Sequence, residues 1–400
     1  MASACAGVAL SCRPNAAISG GTSNDTDMLD QMFSGGGSLT IPQGIYLVDY
    51  LRPRSNSIIT IEPGTQFIRT ESPYSLLELK NVSDVHITAN GSTFDASVGA
   101  AQTSHSMKFL GARRCSLSDA GIMGSAPAKD GVYFGFGDAE CYDCHIVGGS
   151  ISDALRNGMS FISAIRCSIQ DASVFGNNGS PGSGIHVEAN NHEQLNIENA
   201  IKNNEVFGNQ KNGIMVSFGD RTVIDGNHCH DNGLRGIYAT SGGNTRKVGV
   251  RRKQYDAMGI LGFDSSTGFI QLSGDLSLVQ PNTWIYLKVK NGGILPANLR
   301  QQRYQVSEVG NGIRIGKSSF TSEAIGSFNP DPDLSDFFIE TIGKHGQSFG
   351  TRIINNHCHD NIKEGILGAQ SGGMEIINNN SHDNGGLNIH TKYCEGVEVN

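Results

Sequence analysis

The sequence predicts an all-β chain whose main part is a right-handed parallel β-helix, a solenoid of short strands stacked coil upon coil. Glycine followed by a hydrophobic residue opens similar rows with a period in the twenties, which is typical of a solenoid. Apolar and other residues alternate within each row, as they do along a strand. The 52 glycines, with only 11 prolines and 17% charged residues, favour many short strands and tight turns.

Three strands are predicted in each coil. The rows that form the first strand begin at Gly131, Gly158, Gly184, Gly213, Gly236, Gly365 and Asn388. Second strands are expected at "CSL" from Cys115, "CHI" from Cys144, "CSI" from Cys167, "LNI" from Leu195 and "TVI" from Thr222. Third strands are expected at "NEVFGN", at both copies of "NHCHDN" and at "NNSHDN". The alternation directs five side chains into the core: Ile185, Val187, Ile214, Val216 and Ile237.

The small and polar residues of each coil have predictable positions. The row glycines are expected at turns with a positive φ, which glycine adopts without steric cost. Asparagine recurs at the corners, where its side chain bonds the turn backbone and stacked copies bond each other. Cys115, Cys144 and Cys167 are expected to stack as buried thiols in one column.

Two segments resemble a known family. "NDTDMLDQMFSGGGSLTIPQGIYLV" from Asn24 resembles the opening of pectate-lyase-superfamily β-helices and of phage tailspike depolymerases, and "NNGSPGSGIHVEANN" is similar to a signature of β-helix proteins acting on polysaccharides. The resemblance covers roughly residues 24–245 and 350–400. It implies a capping helix from Asp25 to Phe33 and first strands from Gly37 to Val48. It also implies a polysaccharide substrate, an extracellular or virion-surface location and, by analogy with tailspikes, a homotrimer.

The long interruption between Gly236 and Gly365 divides the chain. Residues 1–23 are interpreted as a flexible segment, with a processed signal peptide as the alternative. Residues 24–244 and 351–400 are assigned to the β-helix, and residues 245–350, which hold the single tryptophan, to a β-rich inserted subdomain. Because the sequence stops at "EGVEVN" within a coil, either more chain or a partner is expected to cover that end.

Composition excludes several classes of function. A formal net charge of −8 without a basic tract gives no indication of a nucleic-acid partner. No apolar run approaches the roughly 20 residues that span a bilayer. The nine cysteines lack the spacing of a zinc site, and the single CxxC pair, Cys141 and Cys144, is weak evidence for redox chemistry.

The outward positions of the rows form a candidate sugar-binding face. One column reads Tyr133, Ser160, His186, Met215, Tyr238, Leu367 and His390, and the next reads Gly135, Ile162, Glu188, Ser217, Thr240, Ala369 and Lys392. Aromatic rings and polar groups concentrate in the middle coils, and such groups recognise sugars. A cation also precedes most row glycines: Lys129, Arg156, Lys211, Arg235 and Lys363. These cations either are solvated turn residues or recognise carboxylates of an acidic polysaccharide.

The middle coils hold the groups needed for β-elimination at a uronate. We predict His186 as base, Tyr238 or Tyr133 as acid, and Arg156 with Arg235 as groups that neutralise the carboxylate. The substrate-binding side chains are expected to be Tyr133, Lys129, Ser160, Lys211, Ser217 and Arg235. A C5-epimerase would use the same groups and return the proton. An incidental surface histidine is the alternative for His186.

Two other functions stay open. Asp153 and Glu188, one coil apart, have the residue types of a glycoside hydrolase acid/base pair, although the motifs of polygalacturonases are missing. A non-catalytic adhesin would only hold the glycan.

No cofactor is predicted. His230, His359 and His382 occupy equivalent third-strand positions, which suits a metal but is explained more simply by copying of one turn motif. Calcium stays open only because pectate lyases often bind it.

Overall fold

The computed structural model describes residues 23–97, 104–125, 129–135, 139–189, 194, 196–240, 350–369, 374–392 and 398–399, together with the backbone of six strands between residues 253 and 342. One helix, α1 (Thr26–Phe33), begins the described chain. Leu29 and Phe33 of α1 join the hydrophobic core of the coils. The capping helix predicted from Asp25 to Phe33 is therefore confirmed.

Three long parallel sheets form the walls of the solenoid. Sheet 1 comprises β1 (Gly37–Ile41), β3 (Ser57–Ile61), β6 (Val85–Thr88), β9 (Ser116–Ser118), β13 (His145–Val147), β17 (Ser168–Gln170), β21 (Ala200–Lys202), β24 (Val223–Asp225), β33 (Arg352–Ile354), β36 (Glu375–Ile377) and β39 (Glu398–Val399). Sheet 2 comprises β2 (Ile45–Val48), β4 (Gln66–Arg69), β7 (Thr93–Asp95), β10 (Gly121–Met123), β14 (Ser150–Ser152), β18 (Ser173–Phe175), β22 (Glu205–Phe207), β25 (His228–His230), β34 (His357–His359) and β37 (Asn380–His382). Sheet 3 comprises β5 (Leu77–Lys80), β8 (Met107–Leu110), β11 (Val132–Phe134), β15 (Met159–Phe161), β19 (Ile185–Val187), β23 (Ile214–Val216), β26 (Ile237–Thr240), β35 (Ile366–Ala369) and β38 (Ile389–Lys392). Within each sheet every strand pairs with the equivalent strand of the coil before and after, so the fold is a right-handed parallel β-helix, as predicted.

A short fourth sheet corrects one strand assignment. It comprises β12 (Cys141–Tyr142), β16 (Ala164–Ile165) and β20 (Asn196–Ile197). The segment "LNI" was expected in the second-strand wall, but Ala200–Lys202 takes that place and pairs in register with Ser168–Gln170. The prediction was wrong because this coil carries an extra strand before the corner, which repeat spacing alone does not reveal.

The core is built by the inward residues of the rows. Ile185, Val187, Ile214, Val216 and Ile237 are fully buried, as predicted. Cys115, Cys144 and Cys167 are buried, free thiols on successive coils, which confirms the cysteine column. Aromatic residues fill the earlier coils, where Phe109, Phe134 and Phe161 lie in ring contact. Shape-matched stacking of like residues gives the solenoid one continuous core.

Asparagine ladders hold two corners together, as predicted. Asn204 donates to Asn227, Asn227 to Asn356 and Asn356 to Asn379, at 2.9 Å for each side-chain pair. A second ladder runs through Asn177, Asn209, Asn232, Asn361 and Asn384, with side-chain distances between 2.8 and 3.0 Å. The amides after Asn177 also donate to a backbone carbonyl of a preceding coil, for example Asn209 to Val174 and Asn232 to Val206. The ladders therefore satisfy buried backbone groups that the turns would otherwise leave without a partner.

The expectation of a positive φ at the row glycines is wrong. Positive φ occurs instead at other turn residues, among them Asp119, Asp153, Arg166 and Gly226. The row glycines are needed for a different reason: a Cβ on Gly213 would lie 2.7 Å from the carbonyl oxygen of Gly236, and one on Gly236 would lie 2.7 Å from that of Gly365. Close approach of successive coils, and not backbone conformation, requires glycine there.

The chain forms two compact units, Met1–Lys247 with Ser348–Asn400, and Val248–Gln347. In the second unit β27 (Lys253–Asp264), β28 (Phe269–Leu272), β29 (Trp284–Val289), β30 (Tyr304–Val309), β31 (Gly312–Ser318) and β32 (Phe337–Ile342) close an antiparallel barrel in the order β27-β28-β31-β30-β29-β32. No helix among the described residues is long and apolar enough to cross a membrane.

Candidate functional site

The outer face of sheet 3 carries the predicted column of side chains. Strand register places Tyr133, Ser160 and His186 side by side on successive coils, followed by Met215 and Tyr238. The predicted column is therefore correct, but the prediction that its side chains face the solvent is wrong for its middle members. Ser160 is fully buried and His186 is 4% exposed. The polar groups of these two residues are bonded to neighbours outside the column, Ser160 to Asn157 and His186 to Ser217.

Arg156 lies at the centre of a network of buried charges beside this column. Its Nη1 atom donates to both carboxylate oxygens of Asp130, at 3.0 and 2.8 Å, and its Nη2 atom donates to Glu188 Oε1 at 2.6 Å. Burial alone would lower the pKa of Arg156, but the Asp130 and Glu188 carboxylates raise it above its ordinary value. Burial raises the pKa of Asp130 to about 6 against the opposing effect of Arg156. Arg156 thus bridges two acids of the protein itself.

His186 lies between a hydroxyl and a carboxylate. A hydrogen bond of 2.8 Å joins its Nε2 atom to Ser217 Oγ, and its Nδ1 atom lies 3.5 Å from Glu188 Oε2. Ser217 and Glu188 are themselves 7% and 3% exposed. Ser217, His186 and Glu188 thus form a series of hydroxyl, imidazole and carboxylate, and Arg156 binds the other oxygen of that carboxylate. Such a series can transfer a proton between His186 and a bound molecule.

A second imidazole lies beside Tyr133. The ring of His105 stacks on that of Tyr133 with centroids 4.1 Å apart, and His105 Nδ1 accepts the backbone N–H of Asp130 at 2.9 Å. Burial, followed by the positive charges of Lys108, Lys129 and Arg156, lowers the pKa of His105 to about 2. Burial and the neighbouring Lys129 and Lys80 also lower the pKa of Lys108. Lysines therefore lie near the His105 and Tyr133 rings, together with the acids Asp130, whose Oδ2 atom is 3.4 Å from His105 Nδ1, and Glu78.

The remaining predicted residues lie in less concentrated surroundings. Arg235 forms an ion pair with Glu364, Nε to Oε2 2.7 Å, and its guanidinium lies 4.7 Å from the centroid of the Tyr238 ring. Lys129 and Lys211 are half-buried. Asp153 follows β14 of sheet 2 at an exposed turn with φ +56°, so the network described above does not include it.

Sequence reasoning missed three members of the site: Asp130, His105 and Asn157. Asn157 donates its backbone N–H to Asp130 Oδ1 at 3.0 Å and its side-chain amide to Ser160 Oγ at 3.1 Å. The one available signal was the run "KDG", which places an acid directly before Gly131 at the corner where Arg156 follows one coil later. His105 has no counterpart in the aligned rows, because it lies before Gly131, where the first of them begins.

The outer face of sheet 2 carries a cluster of imidazoles. Strand register places His228 beside His357 and His230 beside His359, with His382 on the next coil. The rings of His230, His359 and His382 stack at 5.2 and 5.4 Å between centroids, and Phe207 extends the stack at 5.1 Å from His230. Burial and then the neighbouring imidazoles lower the pKa values of His228 and His357. The cluster is a candidate metal centre that the sequence prediction assigned to repeat copying.

Comparison with known proteins supports the fold. A family profile described as periplasmic copper-binding protein (NosD) matches residues 127–269. No curated protein matches the chain. Among solved structures, the A-module of the Azotobacter vinelandii mannuronan C-5 epimerase AlgE6 has a TM-score of 0.54 at 12% identity, covering 92% of this chain and 76% of that one. The Dettilon tailspike protein has a TM-score of 0.50 at 10% identity, covering 94% of this chain and 58% of that one. At such identities the likeness establishes the parallel β-helix fold and does not establish a reaction.

Proposed function

We propose that the outer face of sheet 3 binds an acidic polysaccharide and that His186 transfers a proton during its chemical modification. The observation that carries the proposal is the placement of the His186 imidazole between the Ser217 hydroxyl at 2.8 Å and the Glu188 carboxylate at 3.5 Å. The hydrogen bond to Ser217 orients the imidazole, and the carboxylate lies near its second nitrogen. The extracellular space or a phage surface, where such polymers occur, is the proposed location.

The charge around Tyr133 supports an acidic substrate. Lys108 and Lys129 both act on the buried His105 ring, which stacks on Tyr133. Tyr133 is 6% exposed and already stacks on His105, so the support comes from the two ammonium groups, which suit the carboxylate of a uronate. We assign carboxylate neutralisation to these lysines, because Arg156 already binds Asp130 and Glu188 and forms part of an acidic cluster.

The proposed reaction is β-elimination at a uronate. His186 takes the proton at C5, the lysines stabilise the charge on the carboxylate, and Tyr238 or Tyr133 protonates the leaving oxygen. A C5-epimerase would share the first step and return the proton to the other face. The named activity of the similar Azotobacter enzyme makes epimerisation the first alternative to test. Hydrolysis by Asp153 and Glu188 has less support, since Glu188 is bound to Arg156 and Asp153 belongs to the turn after sheet 2.

A second candidate is removal of ester groups from a glycan. The hydrogen bond between His186 and Ser217 and the approach of Glu188 have the arrangement of a serine nucleophile, its base and an orienting acid. Ser217 Oγ would attack the acyl carbonyl while His186 takes its proton, and His186 would then give that proton to the departing sugar oxygen, leaving an acyl-serine. Water, deprotonated by His186, would then attack the acyl-serine and release the acid, while His186 returns the proton to Ser217 Oγ.

Product assays on a set of polymers, combined with two variants, distinguish these reactions. The purified full chain is incubated with uronate polymers, acetylated polymers and neutral polymers. Elimination gives near-ultraviolet absorbance, epimerisation changes the ratio of the sugars, hydrolysis gives reducing ends without absorbance, and ester cleavage releases acetate. His186→Ala is expected to lower the rate of any proton-transfer reaction by about 100-fold or more. Ser217→Ala should abolish ester cleavage but leave elimination within about tenfold, because Ser217 would then only orient the base.

His390→Ala is the matched control. His390 belongs to the same outer column of sheet 3, at its far end, so its loss should leave the rate unchanged. Thermal melting of each variant checks that the coils remain folded. Full activity of His186→Ala would disprove the assignment of the base. Glycan binding without any product would instead identify a non-catalytic adhesin.

A further inference from the structure

Five imidazoles lie together on the outer face of sheet 2, away from the row that contains His186. The Nε2 atoms of His228 and His359 are 2.7 Å apart, and those of His357 and His382 are 2.8 Å apart. Ring centroids of His228, His357 and His359 lie between 4.8 and 4.9 Å from each other. The three residues place one potential ligand atom each within 4.8 Å of one another.

Each coil adds an acid that orients one of the rings. Asp231, Asp360 and Asp383 accept from the Nδ1 atom of the histidine before them, at 2.7, 2.7 and 2.9 Å. A carboxylate on Nδ1 fixes the ring and leaves Nε2 with its lone pair, which is the usual outer-shell arrangement of a metal-binding histidine. The same arrangement occurs on three successive coils. His230, His359 and His382 therefore each present Nε2 to a neighbouring side chain.

One of these nitrogens is buried without a hydrogen bond. The Nε2 atom of His230 has no hydrogen-bond partner among the described residues, and its nearest acid is Glu205 Oε1 at 3.6 Å. Glu205, His228 and His230 form a second set of convergent ligand atoms that shares His228 with the first. A buried imidazole nitrogen in this state is costly unless something else binds it.

We propose that His228, His357 and His359 bind a divalent transition-metal ion of the zinc and copper class. Imidazole nitrogen suits these ions, whereas calcium and magnesium prefer oxygen. At an ion-to-nitrogen distance of about 2.05 Å, tetrahedral ligands are roughly 3.3 Å apart. The 2.7 Å pair of His228 and His359 therefore has to open by a fraction of an ångström, and the wider separations of the set, up to 4.8 Å, have to close; side-chain rotation supplies both movements. Water completes the coordination, and Glu205 and His230 belong to the adjacent set that shares His228.

The position of the site gives it a structural role. His228 belongs to the coil before the inserted unit, and His357 and His359 belong to the coil after it. An ion bound by all three joins two strands that are adjacent in space but far apart along the chain. Because the ligands converge only when both coils are in place, binding favours the folded state and should raise the melting temperature.

The first test measures binding by the tag-free full chain after treatment with a chelator. Calorimetric titration with Zn²⁺ should give one ion per chain, and Zn²⁺ should raise the melting temperature by several degrees. Co²⁺ should give the visible absorption of a tetrahedral site with nitrogen ligands, which hydrated Co²⁺ lacks. His228→Gln and His359→Gln should each weaken Zn²⁺ binding at least tenfold and remove the Co²⁺ absorption.

His145→Gln is the control variant. His145 is a partly buried outer histidine of sheet 1, bonded through Nδ1 to Ser168 Oγ at 2.9 Å, and its loss should leave binding unchanged. The proposal is overturned if the wild-type chain shows neither stoichiometric Zn²⁺ binding nor the Co²⁺ absorption. It is equally overturned if both variants bind as well as His145→Gln. Should one variant fail to fold, the other variant and the wild-type Co²⁺ spectrum still decide the question. These readouts require no glycan, so they are independent of the activity assays.

Discussion

At the scale of single residues, the buried charges of the site hold each other in place. Arg156 is bound by Asp130 and Glu188, and Glu188 in turn approaches His186. Removing the guanidinium would leave two buried carboxylates without their cation, which costs several kcal/mol in comparable sites. We therefore interpret Arg156 as a positioning residue that orients Glu188, and not as a group that meets the substrate.

His105 provides a prediction for the pH dependence of stability. Its pKa is about 2 in the folded chain, because the ring is buried and surrounded by cations, against about 6.5 in an unfolded chain. As the pH falls below 6.5 the unfolded chain gains a proton at this residue and the folded chain does not. His105 therefore contributes stability that is complete above pH 6.5 and is lost on acidification, by about 1.4 kcal/mol per pH unit.

Asp130 acts in the opposite direction. Its pKa is raised to about 6 by burial, so the folded chain binds a proton that the unfolded chain binds only near pH 4. Its contribution is present at low pH and is lost as the pH rises through 6. The two slopes should nearly cancel between pH 4 and 6 in the wild type.

The variant His105→Gln removes one of these slopes. Its free energy of unfolding, measured by denaturant titration, should rise relative to the wild type by roughly 2–3 kcal/mol between pH 6 and pH 4. In the wild type, the Cε1 proton resonance of His105 should keep its neutral position down to pH 4. A resonance that titrates near pH 6 would contradict the buried, neutral ring.

At the scale of elements, the row glycines define how closely the coils stack. The Cβ of an alanine at Gly213 would lie 2.7 Å from a backbone oxygen and 2.9 Å from Asn232 Nδ2 of the asparagine ladder. The first neighbour is backbone, and the second is a side-chain amide held by its hydrogen bonds to Val206 and Asn361. The coils would therefore have to separate, and the ladder hydrogen bonds would lengthen with them.

We expect Gly213→Ala to destabilise the protein by about 3 kcal/mol, since overpacking here acts on backbone. Gly208→Ala is the control for backbone conformation: Gly208 has φ +59° and open space at its Cβ, so the cost should be about 1 kcal/mol. Gly35→Ala, with open space and no positive φ, should be nearly neutral. Equal losses in Gly213→Ala and Gly208→Ala would contradict the packing explanation.

The sequence predicts the repeating elements of the coils, but it does not predict the charge network around Arg156. Period and alternation predicted the strands and the inward residues, because stacking forces every coil to repeat the same pattern. The partners of Arg156 follow no repeat. Asp130, Arg156 and Glu188 occupy different positions relative to their row glycines, Gly131, Gly158 and Gly184, so aligning the rows does not bring them together. Their meeting depends on side-chain reach across three coils, and so does the burial of His186.

At the scale of the whole molecule, the β-helix continues directly across the inserted unit. Thr240 pairs with Ala369 and Arg352 pairs with Glu375, so the coil that contains the insertion has the same register as the coil after it. In that next coil, residues 370–374 are enough to join the two strands. A solenoid repeat contacts only its neighbours, so the insertion need not contribute to the stacking.

Deleting residues 244–349 should therefore leave a folded β-helix. The deletion joins Gly243 to Gly350 and leaves five residues between Thr240 and Arg352, namely 241–243 and 350–351, as in residues 370–374 of the next coil. We expect an unchanged β-type circular dichroism spectrum and a melting temperature within about 5 °C of the wild type, because the core and both asparagine ladders remain. Control deletion of 370–374, which opens a normal coil connection, should unfold the last coils. Aggregation of the 244–349 deletion would show that the inserted unit is required for folding. If that variant folds but no longer binds the glycan, the inserted unit takes part in recognition.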